Sequence, residues 1–379
     1  MAERVGQPAV TRPSAIRVVA ALDSFKGSLT SAEAGAAVRA GVLSVDPAAT
    51  VVVVPVADGG EGTLEALATA TSSWVEVDAV DAVGHPLRAP YLVLEDGTAV
   101  VEAARTAGLA QLPTVGSALP PRASSYGVGR QLADALAHGA GEVLVGLGGS
   151  ACTDGGLGLL TALGVHVDTA TPHGNPLWGL RDIAGPLPDL GRVVVLSDVT
   201  NPLHGPDGAA RVFAPQKGAS PEQVDHLDAQ LARWGEVLAA LGRPVAQVPG
   251  AGAAGGLGAA LLACGARLEP GFARIARATG LGATLAGADL VVTGEGSLDA
   301  QTSSGKAPLG VARLAREAGA LVVGLGGAVE RPARAPFDAV FPVHGRVRSL
   351  SAALDAALTR GELAATAAEV VRLLAAARR

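Results

Sequence analysis

The chain has 379 residues, a formal net charge of −6 and only 3% aromatic residues, a length that favours two domains with cores built from Ala, Val and Leu. No basic stretch stands out, so nucleic acid is not an expected partner. No apolar run approaches the length of a membrane span, Cys152 and Cys264 lie outside any C-x-x-C, and the opening MAERVGQPAVTRPSA lacks the apolar core of a signal peptide, so the expected location is the cytoplasm.

IRVVAAL (Ile16–Leu22) reads as a buried strand. It runs into Asp23-Ser24-Phe25-Lys26-Gly27-Ser28, and Thr30-Ser31-Ala32-Glu33 is a capping box that opens a helix toward Val42. A lysine between a strand end and a helix start suits an anion, which makes Ser24, Lys26 and Gly27 candidates for nucleotide phosphates. The plain alternative is an ordinary turn with Asp23 and Ser24 as local caps. Residue type alone does not separate the two. Thr50–Val56 is the next strand, followed by ADGGEGT and a helix expected over Gly62–Thr71. Its glycines permit a ligand to approach the backbone, so Asp58, Gly59 and Gly60 are candidate substrate contacts and Asp58 a candidate metal ligand. Glu61 stands where a helix start favours an acid in any case.

Residues near 80–280 carry long Pro/Gly segments such as HPLRAPY, TPHGNPLWG and VPGAGAAGGLG. Within them, Ser125–His138 reads as a helix and Glu142–Leu147 as a strand that ends in GGSACTDGG. Asp154 is a candidate ligand for substrate hydroxyls or metal, whereas Cys152 reads as a small buried residue. The strand Arg192–Ser197 places Asp198 at its carboxyl end, the usual position of a catalytic acid, with a turn at Asn201-Pro202 to aim it. Pro221–Leu241 is a long amphipathic helix. Gly250–Gly255 matches G-x-G-x-x-G literally, but it follows Pro249 rather than a strand and lacks a suitable acid downstream.

The last strands are Asp289–Thr293, Ala320–Leu325 and Asp338–Val343. After the first of them, GEGSLD offers Gly294 and Gly296 to a nucleotide and Glu295 and Asp299 to Mg²⁺. Lys306 opens a helix over Lys306–Ala318 toward phosphate. The glycine spacing and Ala307 exclude a Walker A loop. The tail, Leu350–Arg379, reads as two helices.

This alternation of strand and helix predicts an α/β fold of parallel sheets with crossover helices, and ligands beyond the carboxyl ends of strands. The cleaner units at the two ends point to a discontinuous domain, residues 1–80 plus 282–379, with a second α/β domain inserted over 81–281. Of 29 basic residues only Lys26, Lys217 and Lys306 are lysine, and each adjoins a glycine. Lysine is the compact point charge that suits phosphate in glycine loops, although chance placement is the alternative. Phosphate cradles, metal-binding carboxylates and a strand-end acid are the parts that phosphoryl transfer from ATP requires.

Taken together, ALDSFKGSLTSAEAG, PVADGGEGTLEAL, SSYGVG, GLGGSACTDGGLGLLTALG, SDVTNPLHGPDGAARVFAPQKGAS, PGAGAAGGLGAALLA and ADLVVTGEGSLDAQTSSGKAP resemble the bacterial glycerate kinase family, of the glycerate 2-kinase type. The resemblance implies ATP- and Mg²⁺-dependent phosphorylation of D-glycerate, mostly to 2-phosphoglycerate. It also implies a discontinuous Rossmann-like domain with an inserted second domain and a cleft between them. On that basis Lys26 and Lys306 take the nucleotide phosphates, Asp198 addresses the glycerate hydroxyl, and Lys217 pairs with the carboxylate or the transferred phosphoryl. Asp58, Glu295 and Asp299 form the Mg²⁺ pool, and Asn201 joins the substrate contacts. Ser297, Ala300 and Arg105 depart from the family's usual residues, and PVHGRVRSL drifts from its pattern. An NAD-dependent oxidoreductase and a non-catalytic carboxylate-binding regulator are the rival readings. Which hydroxyl is phosphorylated, and whether the chain forms a homodimer, stay open.

Overall fold

The computed structural model describes residues 15–171, 174–298, 307–330 and 336–378. The chain enters through β1 (Arg17–Ala20), α1 (Ser31–Val45) and β2 (Thr50–Val53). The capping box at the start of α1 forms as expected: the Thr30 hydroxyl accepts the Glu33 N–H at 3.3 Å, and the Glu33 carboxylate accepts the Thr30 N–H at 3.0 Å. Next comes α2 (Thr63–Leu67), shorter than the helix expected there. It stops because the Ser72 hydroxyl accepts the Thr69 N–H at 3.0 Å and bonds the Thr69 hydroxyl, offering the backbone an alternative to the helix.

The chain then builds β3 (Ser73–Val80), β4 (Pro86–Val93) and β5 (Ala99–Glu102), followed by α3 (Ala104–Ala107), α4 (Tyr126–Ala137) and β6 (Val143–Gly146). After α5 (Leu157–Ala162) come a hairpin of β7 (His166–Thr169) and β8 (Leu180–Ala184), and then β9 (Val193–Leu196). Helices α6 (Ala209–Phe213), α7 (Pro221–Ala240) and α8 (Ala253–Ala263) precede β10 (Arg267–Glu269). Two short helices, α9 (Gly271–Ala278) and α10 (Leu281–Leu285), lead back to β11 (Leu290–Leu298), α11 (Ala307–Glu317), β12 (Leu321–Val329) and β13 (Ala339–Pro342). The tail forms α12 (Leu350–Ala353) and α13 (Ala356–Ala377).

Among the described residues these strands make two main sheets. The first has the order β13-β12-β11-β1-β2 and is parallel throughout. The second has the order β10-β9-β6-β5-β4-β3, parallel from β10 to β5 and antiparallel from β5 to β3. The continuous apolar runs have a simple cause. Val18, Ala20, Leu290 and Val292 face one core of the first sheet, while Val19, Ala21 and Val291 face another. A sheet covered on both sides needs apolar residues at every position.

The first sheet takes its strands from residues 17–53 and 290–342, so the second sheet is inserted within it. The chain crosses between Val53 and Ser73, and β3, which ends at residue 80, already belongs to the second sheet. HPLRAPY, grouped above with the irregular Pro/Gly stretches, lies mostly in β4. Pro90 is tolerated there because β4 pairs with β5 only through Leu92 and Val93, while the Pro90 carbonyl accepts from Gln131 at 2.8 Å. GEGS and the GGA that follows Leu325, both beyond the expected strand ends, continue β11 and β12 as paired strands, with Glu295 opposite Gly326.

Helix α9 lies between the two sheets. Its Phe272 and Ala276 join the core of the first sheet, and Ile275 packs with Leu64, Leu144 and Leu196 on the second. On the far side of the first sheet, α1 and α13 meet at Gly41, where a Cβ would lie 2.0 Å from the Ala364 carbonyl oxygen. Gly41→Val therefore overpacks this crossing and is expected to cost about 1–3 kcal/mol in chemical denaturation. Gly361→Ala, on an open face of α13, is expected to stabilise by about 0.5–1 kcal/mol.

Candidate active site

A cavity of about 500 Å³ opens where strand ends of both sheets meet, a volume within the range of small-ligand sites. Lys26, Gly27 and Glu61 line it from the crossing side, and Gly148, Gly149, Ser150, Ser197, Val199, Gln216 and Lys217 from the inserted part. Two lysines far apart in sequence thus face one space.

Lys26 sits at the tip of a tight turn in which the Phe25 and Leu29 backbones bond to each other at 2.9 and 3.0 Å, and Gly27 takes φ 77°. The lysine is exposed, while the buried hydroxyls of Ser24 and Ser28 on either side lack hydrogen-bond partners. A buried hydroxyl without a partner is costly, and an oxygen-rich ligand at the turn would satisfy both. Gly296 lies against this turn, and a Cβ on it would be 3.7 Å from the Lys26 backbone nitrogen. The Asp23 N–H bonds the Gly294 carbonyl at 2.9 Å, so the lysine turn is joined to the GEGS segment.

Lys217 is buried, and its ammonium donates to the Cys152 carbonyl at 2.6 Å and approaches the Ser150 hydroxyl at 3.4 Å. Burial pushes its pKa down, opposed by Cys152 and Asp154. A buried ammonium with no carboxylate bonded to it is available to an anion entering the cavity.

Carboxylates gather beside the lysine turn. Asp23, at the carboxyl end of β1, is pushed up to about 8, first by burial and then by Asp58, with Glu295 adding to the effect. Its Oδ1 accepts the Ser24 N–H at 2.7 Å, which with Lys26 works the other way. Asp23 was not among the residues singled out in the sequence, where a local cap stood as the alternative for it; its position directly after a buried strand was the available signal. Asp198 is pushed up to about 6 by burial, and Asp58 adds to this. The Phe272 N–H at the start of α9 points at its Oδ2 from 3.5 Å. Asp58 itself accepts the Gly60 N–H at 3.0 Å. Among the described residues no three His, Cys, Asp or Glu side chains are close enough to hold a metal ion by themselves.

Other expected residues are placed differently. Asp154 is fully buried, and its two oxygens accept from the N–H groups of Ser125, Gly156 and Gly158 and from the hydroxyls of Ser124 and Ser125. That carboxylate ties loops together and is not among the residues lining the cavity. The Asn201 amide donates to the Asp207 carbonyl at 2.8 Å and shapes its own loop rather than lining the cavity. Glu61, set aside above as a helix-start acid, does line it. Asp299 and Lys306 lie outside the described residues. The G-x-G-x-x-G segment packs closely against its neighbours and lines the cavity through Ala253 and Ala254. Virtual Cβ atoms on Gly252 and Gly255 would lie 2.3 Å from the Pro202 and Cys152 carbonyl oxygens, and no strand leads into the segment.

Residues 18–375 match the family model described as "Glycerate kinase family". The chain is 39% identical over 363 residues to the glycerate 2-kinase of Escherichia coli K12, covering 90% of this chain and 94% of that one. It is 38% identical over 355 residues to the glycerate kinase of Halalkalibacterium halodurans, covering 89% and 93%. The crystal structure of a protein assigned as glycerate kinase 2 from Salmonella typhimurium LT2 superposes with a TM-score of 0.77 at 38% identity, covering 96% of this chain and 99% of the other.

The carboxylate cluster has a thermodynamic signature. With its pKa raised, the folded chain keeps a proton on Asp23 that the unfolded chain releases, so stability falls as pH rises from about 4 toward 8 and levels off above. Thermal unfolding in cation-free buffer should show this fall. Asp23→Asn should raise the midpoint at pH 8, converge with the parent near pH 4, and give a shallower slope. Identical slopes would count against the assignment.

Proposed function

The chain belongs to the glycerate kinase family, and we propose that it transfers the γ-phosphoryl group of ATP to a hydroxyl of D-glycerate, with Mg²⁺, giving 2-phosphoglycerate in preference to 3-phosphoglycerate. The observation that carries this reading is that Lys26 and Lys217 both line one cavity, beside the carboxyl groups Asp23 and Asp198, whose pKa values burial raises.

In this reading the nucleotide phosphates lie on the Lys26 turn, where Ser24 and Ser28 hold unpartnered hydroxyls. Gly27, Gly294 and Gly296 permit close approach, and Lys306 is assigned to the same phosphates. Lys217 neutralises the glycerate carboxylate or the phosphoryl in transit. Phosphoryl transfer relies on positioning and charge neutralisation more than on covalent chemistry, so two cations reaching one space from separate parts of the fold are the functional core. Asp198 takes the proton of the attacking hydroxyl, since an acid near pH 6 is a competent base at neutral pH.

The donors near the turn suit Mg²⁺, which is usually held by one or two carboxylates plus phosphate oxygens and water. Asp58 and Glu295 are assigned to it, with Asp299, and the proton kept on Asp23 reflects burial first and then the negative charge of Asp58 and Glu295. When bound, the ion would supply charge neutralisation to the phosphate oxygens. The parts that carry the two sheets are read as two domains whose closure excludes water from the cavity. The name glycerate 2-kinase, borne by the Escherichia coli relative, supports the preference for the 2-hydroxyl.

The test is ADP release with ATP, Mg²⁺ and D-glycerate. The parent should turn over, with kcat/KM rising as pH climbs through about 6 as Asp198 loses its proton. Asp198→Asn should lose about 10²–10⁴-fold in kcat while staying folded. Near-normal turnover of Asp198→Asn would show that another group addresses the hydroxyl.

A further inference from the structure

Glu102 is fully buried at the carboxyl end of β5 and has no place in the chemistry described so far. Its Oε2 accepts the Leu64 N–H at 3.2 Å, in the first turn of α2. Its Oε1 faces the Arg105 Nε at 3.5 Å, too far for a hydrogen bond, and both atoms are buried without another partner. Arg105 also bonds Glu65 on α2 and is held charged by Glu102, Glu65 and Glu61 together. Burial pushes the Glu102 acid up to about 7 against the pull of Arg105 and the Leu64 N–H.

The segment these groups hold is the one that carries Asp58, Gly59, Gly60 and Glu61. The segment that carries Arg105 reaches the opposite wall as well. The Ala107 carbonyl accepts the Ala151 N–H at 2.7 Å, and the Leu109 N–H bonds the Gly149 carbonyl at 2.9 Å. The pair Glu102–Arg105 therefore lies behind both the Asp58–Glu61 loop and the Gly148–Ser150 loop.

We propose that Glu102, acting through the Leu64 N–H and Arg105, is a positioning residue that fixes the Asp58–Glu61 loop at the edge of the cavity. The proposal rests on the kinase reading for its kinetic consequence but not for its structural one. A buried ionic anchor without full hydrogen bonding is a poor source of stability, and its removal releases the segment it constrains. Small displacements of a loop that aligns reacting groups cost turnover more than affinity.

The experiment uses Glu102→Gln, which keeps an acceptor for the Leu64 N–H and removes the charge opposite Arg105. In steady-state kinetics with ATP, Mg²⁺ and D-glycerate, kcat should drop by about tenfold or more while KM for glycerate stays within about threefold. Amide hydrogen exchange over residues 58–65 should accelerate, with α4 unchanged. Full kcat in the folded variant overturns the proposal. So does a loss that merely follows a lowered melting temperature, with exchange faster everywhere. If Glu102→Gln does not fold, Arg105→Gln, on the partly exposed side of the pair, decides by the same two readouts. If the parent protein shows no turnover, the kinase reading fails, and the exchange comparison alone decides whether Glu102 holds the loop.

Discussion

The site depends on one close passage of backbone. Where the chain crosses from the first sheet to the second, Asp58-Gly59-Gly60 threads between the ends of β6 and β9 and the start of α9. A Cβ on Gly148 would lie 2.4 Å from the Gly60 Cα, one on Gly146 would lie 2.6 Å from the Gly59 oxygen, and one on Gly271 would lie 2.0 Å from the Asp58 oxygen. Gly59 itself has φ 91°, a conformation that L side chains rarely adopt. The Gly148 N–H closes the passage with a bond to the Gly59 carbonyl at 3.1 Å. Glycines on three separate segments therefore meet at one point, and that meeting sets where the carboxylate of Asp58 stands relative to Asp23 and Asp198.

The helix that completes this passage explains why the two sheets are not independent. Because α9 puts Phe272 on one core and Ile275 on another, neither sheet is fully covered without it. Its first N–H groups turn toward Asp198, and its first residue closes over Asp58. Packing and electrostatics are thus set by the same eight-residue helix. The excess of carboxylates it helps assemble is held by protonation of Asp23 and by the neighbouring Lys26, an arrangement that costs stability and suits a site meant to receive cations and phosphates.

Much of this was legible in the sequence. Every buried parallel strand that was expected is present, because a strand covered on both faces must be apolar at each position. The loops after the other strands were found for the same reason, but GEGS and GGA extend β11 and β12 instead of leaving the sheet. The antiparallel edge was not: β3 alternates exposed and buried residues, β4 contains two prolines, and neither gives a continuous apolar run. In the site, Lys26 and Lys217 could be singled out by type and glycine context. Asp154 and Asn201 could not be told from ligands, because what distinguishes them is the set of backbone groups they already satisfy, and those come from residues such as Ser125 and Asp207 brought close only by folding. Asp23 escaped because an acid after a strand also makes an ordinary cap. Glu102 escaped because a glutamate at the end of an unrecognised strand carries no local signal at all.

The central claim is that this glycine passage places the catalytic carboxylates. Gly271→Ala tests it most directly, since the added methyl must displace the Asp58 carbonyl while touching no ligand. The account predicts a protein with unchanged far-ultraviolet circular dichroism whose kcat for ADP release in the presence of D-glycerate is lower by about a hundredfold, as expected for a misplacement on the scale of 1 Å. A folded Gly271→Ala variant that turns over at the parent rate would contradict it.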